Sequence, residues 1–120
     1  MSNPKLLPGY DAPGPKGKKT QVWVQKGPTA TYVAGTGQVL QAAQFGAKGF
    51  DHVSAGGLSE STTYFCGVKY GATIVAGAAV AQHLTAVTYI TLLWYVASTG
   101  LEYAGGDLSG ESIRLAAITV

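Results

Sequence analysis

The stretch Leu84-Thr-Ala-Val-Thr-Tyr-Ile-Thr-Leu-Leu-Trp-Tyr-Val-Ala97 decides the fold of this 120-residue chain. β-Branched and aromatic side chains dominate it, and they fit the pleated, half-buried surface of a sheet better than a helix. We therefore predict that Thr85–Ala97 forms the longest strand of the protein. One face of this strand carries Thr88, Ile90, Leu92, Trp94 and Val96, and the other carries Val87, Tyr89, Thr91, Leu93 and Tyr95.

Both faces of this predicted strand are apolar, so both need cover. In an all-β protein the opposing sheet covers one face, and a loop or a partner covers the other. We expect a neighbouring subunit to cover the second face, through contacts with Tyr89, Leu93 and Tyr95. The pattern therefore predicts a homo-oligomer.

The rest of the body alternates short strands with turn-forming residues. About seven strands at short spacing predict an all-β fold, either a single antiparallel β-sandwich or a jelly-roll-like domain. This domain is expected to span residues 21–120. The segment Gln38–Phe45 fits a strand or a short helix, and we favour the strand. The other predicted strands are Gln21–Gln25, Thr29–Val33, Phe50–Val53, Thr62–Tyr70, Thr73–Val75 and Ser112–Thr119.

Residues 1–20 differ from this body in composition. They contain four prolines and three glycines. Proline fixes the backbone and lacks a donor, so this composition excludes a helix or a central strand and predicts an extended N-terminal arm. Residues 1–26 also hold five lysines against one aspartate, a net charge of +4, whereas residues 27–120 hold three cations against five acids. A basic arm favours an anionic partner.

The overall composition indicates a chain whose surface is largely covered. Charged residues make up 12% of it, below the roughly 25% of an average soluble domain. Cys66 is the only cysteine, so an intrachain disulfide is excluded and a small buried side chain is expected. The apolar run 72–97 is long enough to cross a bilayer, but Gln82-His83 interrupts it and its Thr, Tyr and Val content is typical of strands. Neither a membrane segment nor a signal peptide is predicted.

No constellation of residues indicates catalysis or a cofactor. Asp51 and His52 are neighbours, and neighbours in a strand point to opposite faces, so the carboxylate cannot orient the imidazole of a catalytic triad. Gly106-Asp-Leu-Ser109 lacks the spacing of a hydrolase motif and predicts a turn whose Asp and Ser side chains bond nearby amides. His52 and His83 have no companion acids at metal-ligand spacing. We predict a protein that is not an enzyme and that holds no cofactor and no metal.

Nucleic acid is a weak candidate partner. Lys16, Lys18 and Lys19 lie near Trp23 in sequence, so they could neutralise phosphates while the indole stacks on a base. The cluster is small, has no arginine and recurs nowhere else in the chain. The sequence therefore argues against nucleic acid.

The C-terminal part of the chain resembles a known family. Thr88-Tyr-Ile-Thr-Leu-Leu-Trp-Tyr-Val96, Gly106-Asp-Leu-Ser109 and Ser112-Ile-Arg-Leu-Ala-Ala-Ile-Thr-Val120 are similar to segments of small tailed-phage virion proteins, several of which are capsid decoration, or cement, proteins. The resemblance implies a non-enzymatic β domain that sits on the outer surface of a capsid shell. It also implies assembly as a trimer, and an N-terminal arm that grips the shell.

These observations together predict a structural protein of a tailed bacteriophage, assembled in the host cytoplasm, that cements the capsid by binding the major capsid protein. Capsid surfaces are often acidic, so the lysines of the arm would steer and orient binding. The alternative is a tail- or fibre-associated β module that binds host-surface glycans through exposed aromatic residues such as Trp23, Tyr32 and Tyr103. The predicted capsid contacts of the arm are Lys5, Leu6, Leu7, Tyr10, Lys16, Lys18 and Lys19.

Overall fold

The chain folds into short strands joined by turns. The computed structural model describes residues 4–14, 18–28, 32–70 and 87–120. Within these ranges the regular structure consists of nine strands and one short 3-10 helix, Ala42–Phe45, which confirms the all-β prediction. The strands are β1 (Lys5–Pro13), β2 (Lys19–Lys26), β3 (Tyr32–Val33), β4 (Gln38–Gln41), β5 (Phe50–Gly56), β6 (Tyr64–Tyr70), β7 (Tyr89–Val96), β8 (Gly105–Gly106) and β9 (Ser112–Thr119).

The strands form three antiparallel sheets. The four-stranded sheet has the order β1-β2-β9-β5, the three-stranded sheet β4-β7-β6, and the smallest sheet pairs β3 with β8. In the first, Trp23 of β2 lies opposite Leu115 of β9. In the second, Trp94 of β7 lies opposite Cys66 of β6. An isolated antiparallel pair between Phe50 and Val87 brings the start of β5 next to the segment that leads into β7, so the two larger sheets meet there.

The two larger sheets each contribute one face to a common hydrophobic core. Ile90, Leu92 and Trp94 of β7 are fully buried, as predicted for one face of this strand, but Thr91 on the opposite face is also buried, with 8% of its surface exposed. The prediction that one face of β9 points inward is also confirmed. Burying a large apolar side chain stabilises a fold by about 1.5–3 kcal/mol, so these strands dominate the stability of the domain. The buried apolar residues of β9 are Ile113, Leu115 and Ala117, and the β6 residues packed against the core are Tyr64, Cys66, Val68 and Tyr70.

The inner face of β2 is partly polar. Gln21 and Gln25 are buried there beside Trp23, whereas Val22 and Val24 point to the outer face. A buried amide destabilises the fold unless it is hydrogen-bonded. Gln21 Nε2 donates a hydrogen bond to Asp11 Oδ1 over 3.1 Å, so this buried amide has a partner in β1.

Gln38 links the two larger sheets by hydrogen bonds. This residue of β4 is 2% exposed. Its Nε2 donates to the carbonyl oxygen of Lys26 in β2 over 2.9 Å, and its Oε1 accepts the indole N–H of Trp94 in β7 over 3.0 Å. Because both ends of one buried amide are engaged, Gln38 fixes the position of one sheet relative to the other.

The N-terminal segment is extended, as predicted, but Lys5–Pro13 is the edge strand of the four-stranded sheet rather than a separate arm. Its pairing with β2 is interrupted between Leu6 and Asp11. Pro8 and Gly9 lie in that interruption, and Gly9 has a φ of 84°, a conformation that glycine adopts without strain. Proline is tolerated on an edge strand at such an irregularity, because no ladder hydrogen bond is lost. The predicted domain boundary after residue 20 falls inside β2.

Several other predicted bounds differ from the structure. The segment Gln38–Phe45 is a strand only to Gln41, and the 3-10 helix follows because the Gln44 side chain accepts the Gln41 N–H over 2.7 Å. The strand that begins at Phe50 is longer than predicted. Of the predicted long strand, Tyr89–Val96 is described as β7. Among the described residues no helix has the length and apolar character needed to span a membrane. The predicted strand Thr73–Val75 and His83 lie outside the described residues.

Candidate interaction surfaces

The outer face of the three-stranded sheet gathers the predicted subunit contacts. Tyr89, Leu93 and Tyr95 project from the same side of β7, opposite the buried Ile90, Leu92 and Trp94, and each is half-buried. Two half-buried side chains extend this surface across the sheet, because Val39 of β4 pairs with Thr91 and Phe65 of β6 pairs with Tyr95. We call this surface the aromatic face; it consists of Val39, Phe65, Tyr89, Leu93 and Tyr95.

A stacked aromatic pair flattens the aromatic face. The rings of Phe65 and Tyr95 lie 5.2 Å apart, with 15° between their planes. A Cβ on Gly67 would lie 3.3 Å from Tyr95 Cε2, so the glycine leaves room for the tyrosine ring. Leu58 pairs with Phe65 beside the stack and is 52% exposed. The result is a flat apolar surface that one chain covers only in part.

Glu102 fixes the rim of the aromatic face. It pairs with Tyr95 and accepts hydrogen bonds from Tyr32 Oη over 2.7 Å and from the Gly35 amide over 2.8 Å. The Gly35 bond, followed by the Tyr32 bond, holds the pKa of Glu102 below its usual value. Burial, followed by the bond to Glu102, raises the pKa of Tyr32, whose oxygen also accepts the Trp94 amide. The carboxylate thus ties the β3–β4 turn to β7.

The structure describes six of the seven predicted capsid contacts, which lie in β1, at the start of β2 and in the residue just before β2. Lys5 and Lys19 are exposed, whereas Lys18 forms an ion pair with Asp51 near β5. Leu6 lies opposite Trp23 at the sheet edge and is 36% exposed, and Leu7 is half-buried. These residues therefore do not form one compact patch. Tyr10 lies in β1, and Lys16 is outside the described residues.

The aromatic residues proposed for glycan contact are placed differently from the prediction. Trp23 is 8% exposed and Tyr32 is 2% exposed, so both belong to the core. Tyr103 is half-buried and packs edge-on against Tyr64, with ring centroids 5.4 Å apart. The prediction of exposed aromatics was wrong for Trp23 and Tyr32, because each lies on the core-facing side of its strand.

The polar residues that were considered for chemistry have structural partners. Asp51 pairs with Lys18, and His52 Nδ1 lies 3.2 Å from Tyr70 Oη. Asp107 accepts the Ser109 amide over 2.8 Å, which confirms the predicted turn, and hydrogen bonding to Ser109 lowers the pKa of Asp107. Across the described ranges, His, Cys, Asp and Glu side chains form no group of three that could hold a metal ion. Burial raises the pKa of the Cys66 thiol.

Comparison with known proteins adds no relative to this description: no family model matches the chain, and neither a curated protein nor a solved structure matches it.

Sequence reasoning missed the residues that complete these surfaces. Phe65 and Val39 join the aromatic face only because of the register between β6, β7 and β4. Lys26 and Arg114 lie on the outer face of the four-stranded sheet, with Arg114 opposite Val24. Alternation within each strand gives the side on which a residue lies, but it does not give the neighbour across the sheet.

Proposed function

We propose that this chain is a structural protein of a tailed-bacteriophage virion that decorates the outer surface of the capsid and cements it by binding the major capsid protein. The observation that most supports the proposal is the half-buried aromatic face, on the strand whose residues Ile90, Leu92 and Trp94 are fully buried on the other side. Large apolar surfaces on one chain mark contacts with other proteins. The resemblance of the C-terminal segments to cement proteins is the reason for proposing a capsid as the assembly.

The proposed architecture is a single β-sandwich whose subunits associate through the aromatic face. The four-stranded and three-stranded sheets share one core, which is the arrangement of a sandwich. Tyr89, Leu93 and Tyr95 then contact a neighbouring copy, and the proposed homo-oligomer is a trimer. Few charges, 12% of the chain, favour a protein whose faces are covered in an assembly.

The proposed capsid contact is the N-terminal segment, including Lys5, Leu6 and Lys19. Lys5 and Lys19 are exposed at the edge of the four-stranded sheet, where they are available to an acidic shell. The role is structural and not enzymatic. The protein is assembled in the host cytoplasm and resides on the outer surface of the virion.

The second candidate function is a tail- or fibre-associated module that binds host-surface glycans. One observation favours it: the rings of Phe65 and Tyr95 are stacked and half-buried, so part of this aromatic pair is open to a ligand. The burial of Trp23 and Tyr32 removes two of the aromatic residues that first motivated it. We therefore rank it second.

Binding to separated heads and tails distinguishes the two functions. Heads that lack the protein are mixed with the purified chain, and isolated tails of the same phage are treated in parallel. We expect saturable co-sedimentation with heads, no binding to tails and no hits on a glycan array. Binding to tails or to glycans, without binding to heads, would support the second function and contradict the first.

A further inference from the structure

Three cations lie together on the outer face of the four-stranded sheet. Lys5 of β1 lies opposite Val24 of β2, and Val24 lies opposite Arg114 of β9. Residues opposite each other on paired strands point to the same side, so Lys5 and Arg114 flank Val24 at a separation of about 10 Å. Lys26 is two residues along β2 from Val24 and therefore shares this side. All three cations are exposed.

No carboxylate balances these cations. The register places no Asp or Glu opposite Lys5, Lys26 or Arg114 on the outer face. Asp51, on β5, is engaged by Lys18, and Glu111, just before β9, accepts a hydrogen bond from Ser61. In the part of the chain that the structure describes, none of the three cations forms an ion pair. Like charges at this spacing repel each other, so an anionic partner would relieve a cost that this chain leaves uncompensated.

An aliphatic strip lies next to the three cations. It consists of Val22, Val24, Ala116 and Ile118, all on the outer side of β2 and β9. Ala116 is exposed and the other three are half-buried. We call the strip together with Lys5, Lys26 and Arg114 the cationic face.

The composition of the cationic face favours a protein over a nucleic acid. An apolar centre with a charged rim is the usual anatomy of a protein–protein interface. Single strands are bound with stacking aromatics, and duplexes with a much denser positive surface. On the outer face the His52 imidazole lies opposite Ile118, but its Nδ1 is 3.2 Å from Tyr70 Oη, and the stacked pair Phe65–Tyr95 belongs to the other large sheet.

We infer that the cationic face binds a carboxylate-rich protein surface, with Lys5, Lys26 and Arg114 facing the acids and the aliphatic strip facing apolar side chains. The inference deepens the proposed function, and it rests on that function for identifying the partner as a capsid shell. It differs from the N-terminal contacts predicted above, because Lys26 and Arg114 belong to β2 and β9. It also separates the shell contact from the subunit contact, which lies on the other sheet.

The test is a titration of the isotope-labelled chain, followed by NMR, with a peptide of alternating Glu and Val. We expect amide shifts along β2 and β9 and no shifts with a matched Ser–Val peptide. The double substitution Lys5→Glu/Arg114→Glu should weaken binding at least about tenfold, because attraction becomes repulsion. Lys69→Glu, an exposed strand lysine on the three-stranded sheet, is the matched control and should change affinity less than about twofold. The milder double substitution Lys5→Gln/Arg114→Gln should reduce the affinity by an amount between those of the other two variants. Its NMR spectrum shows whether the variant is folded.

Four results would overturn the inference: no binding of the Glu–Val peptide, equal losses in the double and control variants, shifts that map to another surface, or tighter binding of duplex DNA than of the peptide. Head binding by the wild-type chain distinguishes a failure of the inference from a failure of the proposed function. If heads bind the wild type and the Lys5→Glu/Arg114→Glu variant equally, the inference fails and the function stands. If the acidic peptide binds as expected but heads do not, the function fails and the cationic face remains.

Discussion

The two larger sheets both bury apolar side chains in the core, but their outer faces differ in composition. The three-stranded sheet buries Ile90, Leu92 and Trp94 and carries half-buried aromatic residues on its outer face. The four-stranded sheet buries Gln21 and Gln25 in its inner face and turns valines outward. The difference shows that neither outer face is an ordinary solvated surface. One is aromatic, with Lys69 and Glu102 beside it, and the other is aliphatic with an unbalanced cationic rim.

This contrast is the reason why we propose different partners for the two outer faces. The aromatic face is suited to contact with another copy of the chain, because its five members are uncharged and leave apolar area that one chain covers only in part. The cationic face is suited instead to a partner that supplies acidic groups. The aromatic face is therefore assigned to subunit contact and the cationic face to the acidic partner.

Leu92→Ala should produce the largest loss of stability. Leu92 is fully buried at the centre of β7, so truncation leaves a cavity and costs about 2–5 kcal/mol of unfolding free energy. Leu93→Ala, on the aromatic face of the same strand, is the matched control and should cost about 1 kcal/mol. Urea titration of both variants measures the difference. Equal losses of unfolding free energy would mean that both faces of β7 belong to the core of a single chain. The proposed difference between the two faces would then be wrong.

Gln38→Leu tests the hydrogen-bonded link between the sheets. The substitution leaves the Trp94 indole N–H and the Lys26 carbonyl without this partner, so a loss of about 1–3 kcal/mol is expected. Adding Trp94→Phe removes the indole N–H that Gln38→Leu leaves without a partner. The double variant should therefore lose less unfolding free energy than the sum of the losses of the two single variants. Simple additivity in denaturant unfolding would show that the Gln38–Trp94 bond does not couple the sheets.

Self-association distinguishes the two outer faces directly. Leu93→Asp places a charge in the aromatic face and should weaken self-association at least about tenfold. Arg114→Glu, on the cationic face, should leave the association constant within about twofold of the wild-type value. Sedimentation equilibrium measures both. The assignment of faces would be reversed if Arg114→Glu dissociated the oligomer and Leu93→Asp did not.

Glu102 gives the rim of the aromatic face a pH dependence. Its folded-state pKa lies below the usual value of 4.5, so its contribution to stability is present above that value and is lost as the pH falls through the folded pKa. Glu102→Gln should therefore be less stable than the wild type at neutral pH, and the gap should narrow in acid. Glu60→Gln, at an exposed carboxylate outside the sheets, serves as the control. A gap that stays constant from neutral to acid pH contradicts the role of the carboxylate.

Trp23→Phe should have the smallest effect. The Trp23 indole N–H is buried without a hydrogen-bond partner among the described residues, whereas that of Trp94 is bonded to Gln38. Removing an unpaired buried donor offsets the loss of ring volume, so the change in unfolding free energy should be within about 1 kcal/mol. Trp94→Phe is the comparison and should be clearly more costly. The same loss at both sites would show that hydrogen bonding does not distinguish the two indoles.

The sequence predicted the faces of single strands better than their neighbours. The period of two placed Ile90, Leu92 and Trp94 on one side and Tyr89, Leu93 and Tyr95 on the other, because alternation is local. The edge position of β1 was not predicted, because its proline content excludes a central strand but does not indicate which strand it pairs with. The burial of Trp23 depends on which side of β2 meets the core, and the valines that flank it gave no signal for that choice.

The same limit applies to the candidate surfaces. Phe65 and Arg114 acquire their roles from strands that are distant in sequence, so only the register reveals them. Tyr89, Leu93 and Tyr95 come from one strand, and the sequence was sufficient to group them. Surfaces that lie within one strand can thus be predicted, and surfaces that cross a sheet require the fold.

The central claim is that the chain coats a phage head, and its copy number on purified particles tests that claim most directly. Heads and tails are separated, and the protein is quantified in each fraction by mass spectrometry against the major capsid protein. We predict a stoichiometry comparable to that of the major capsid protein in the head fraction, with little in the tails. Absence from heads, or a few copies confined to tails, would contradict it.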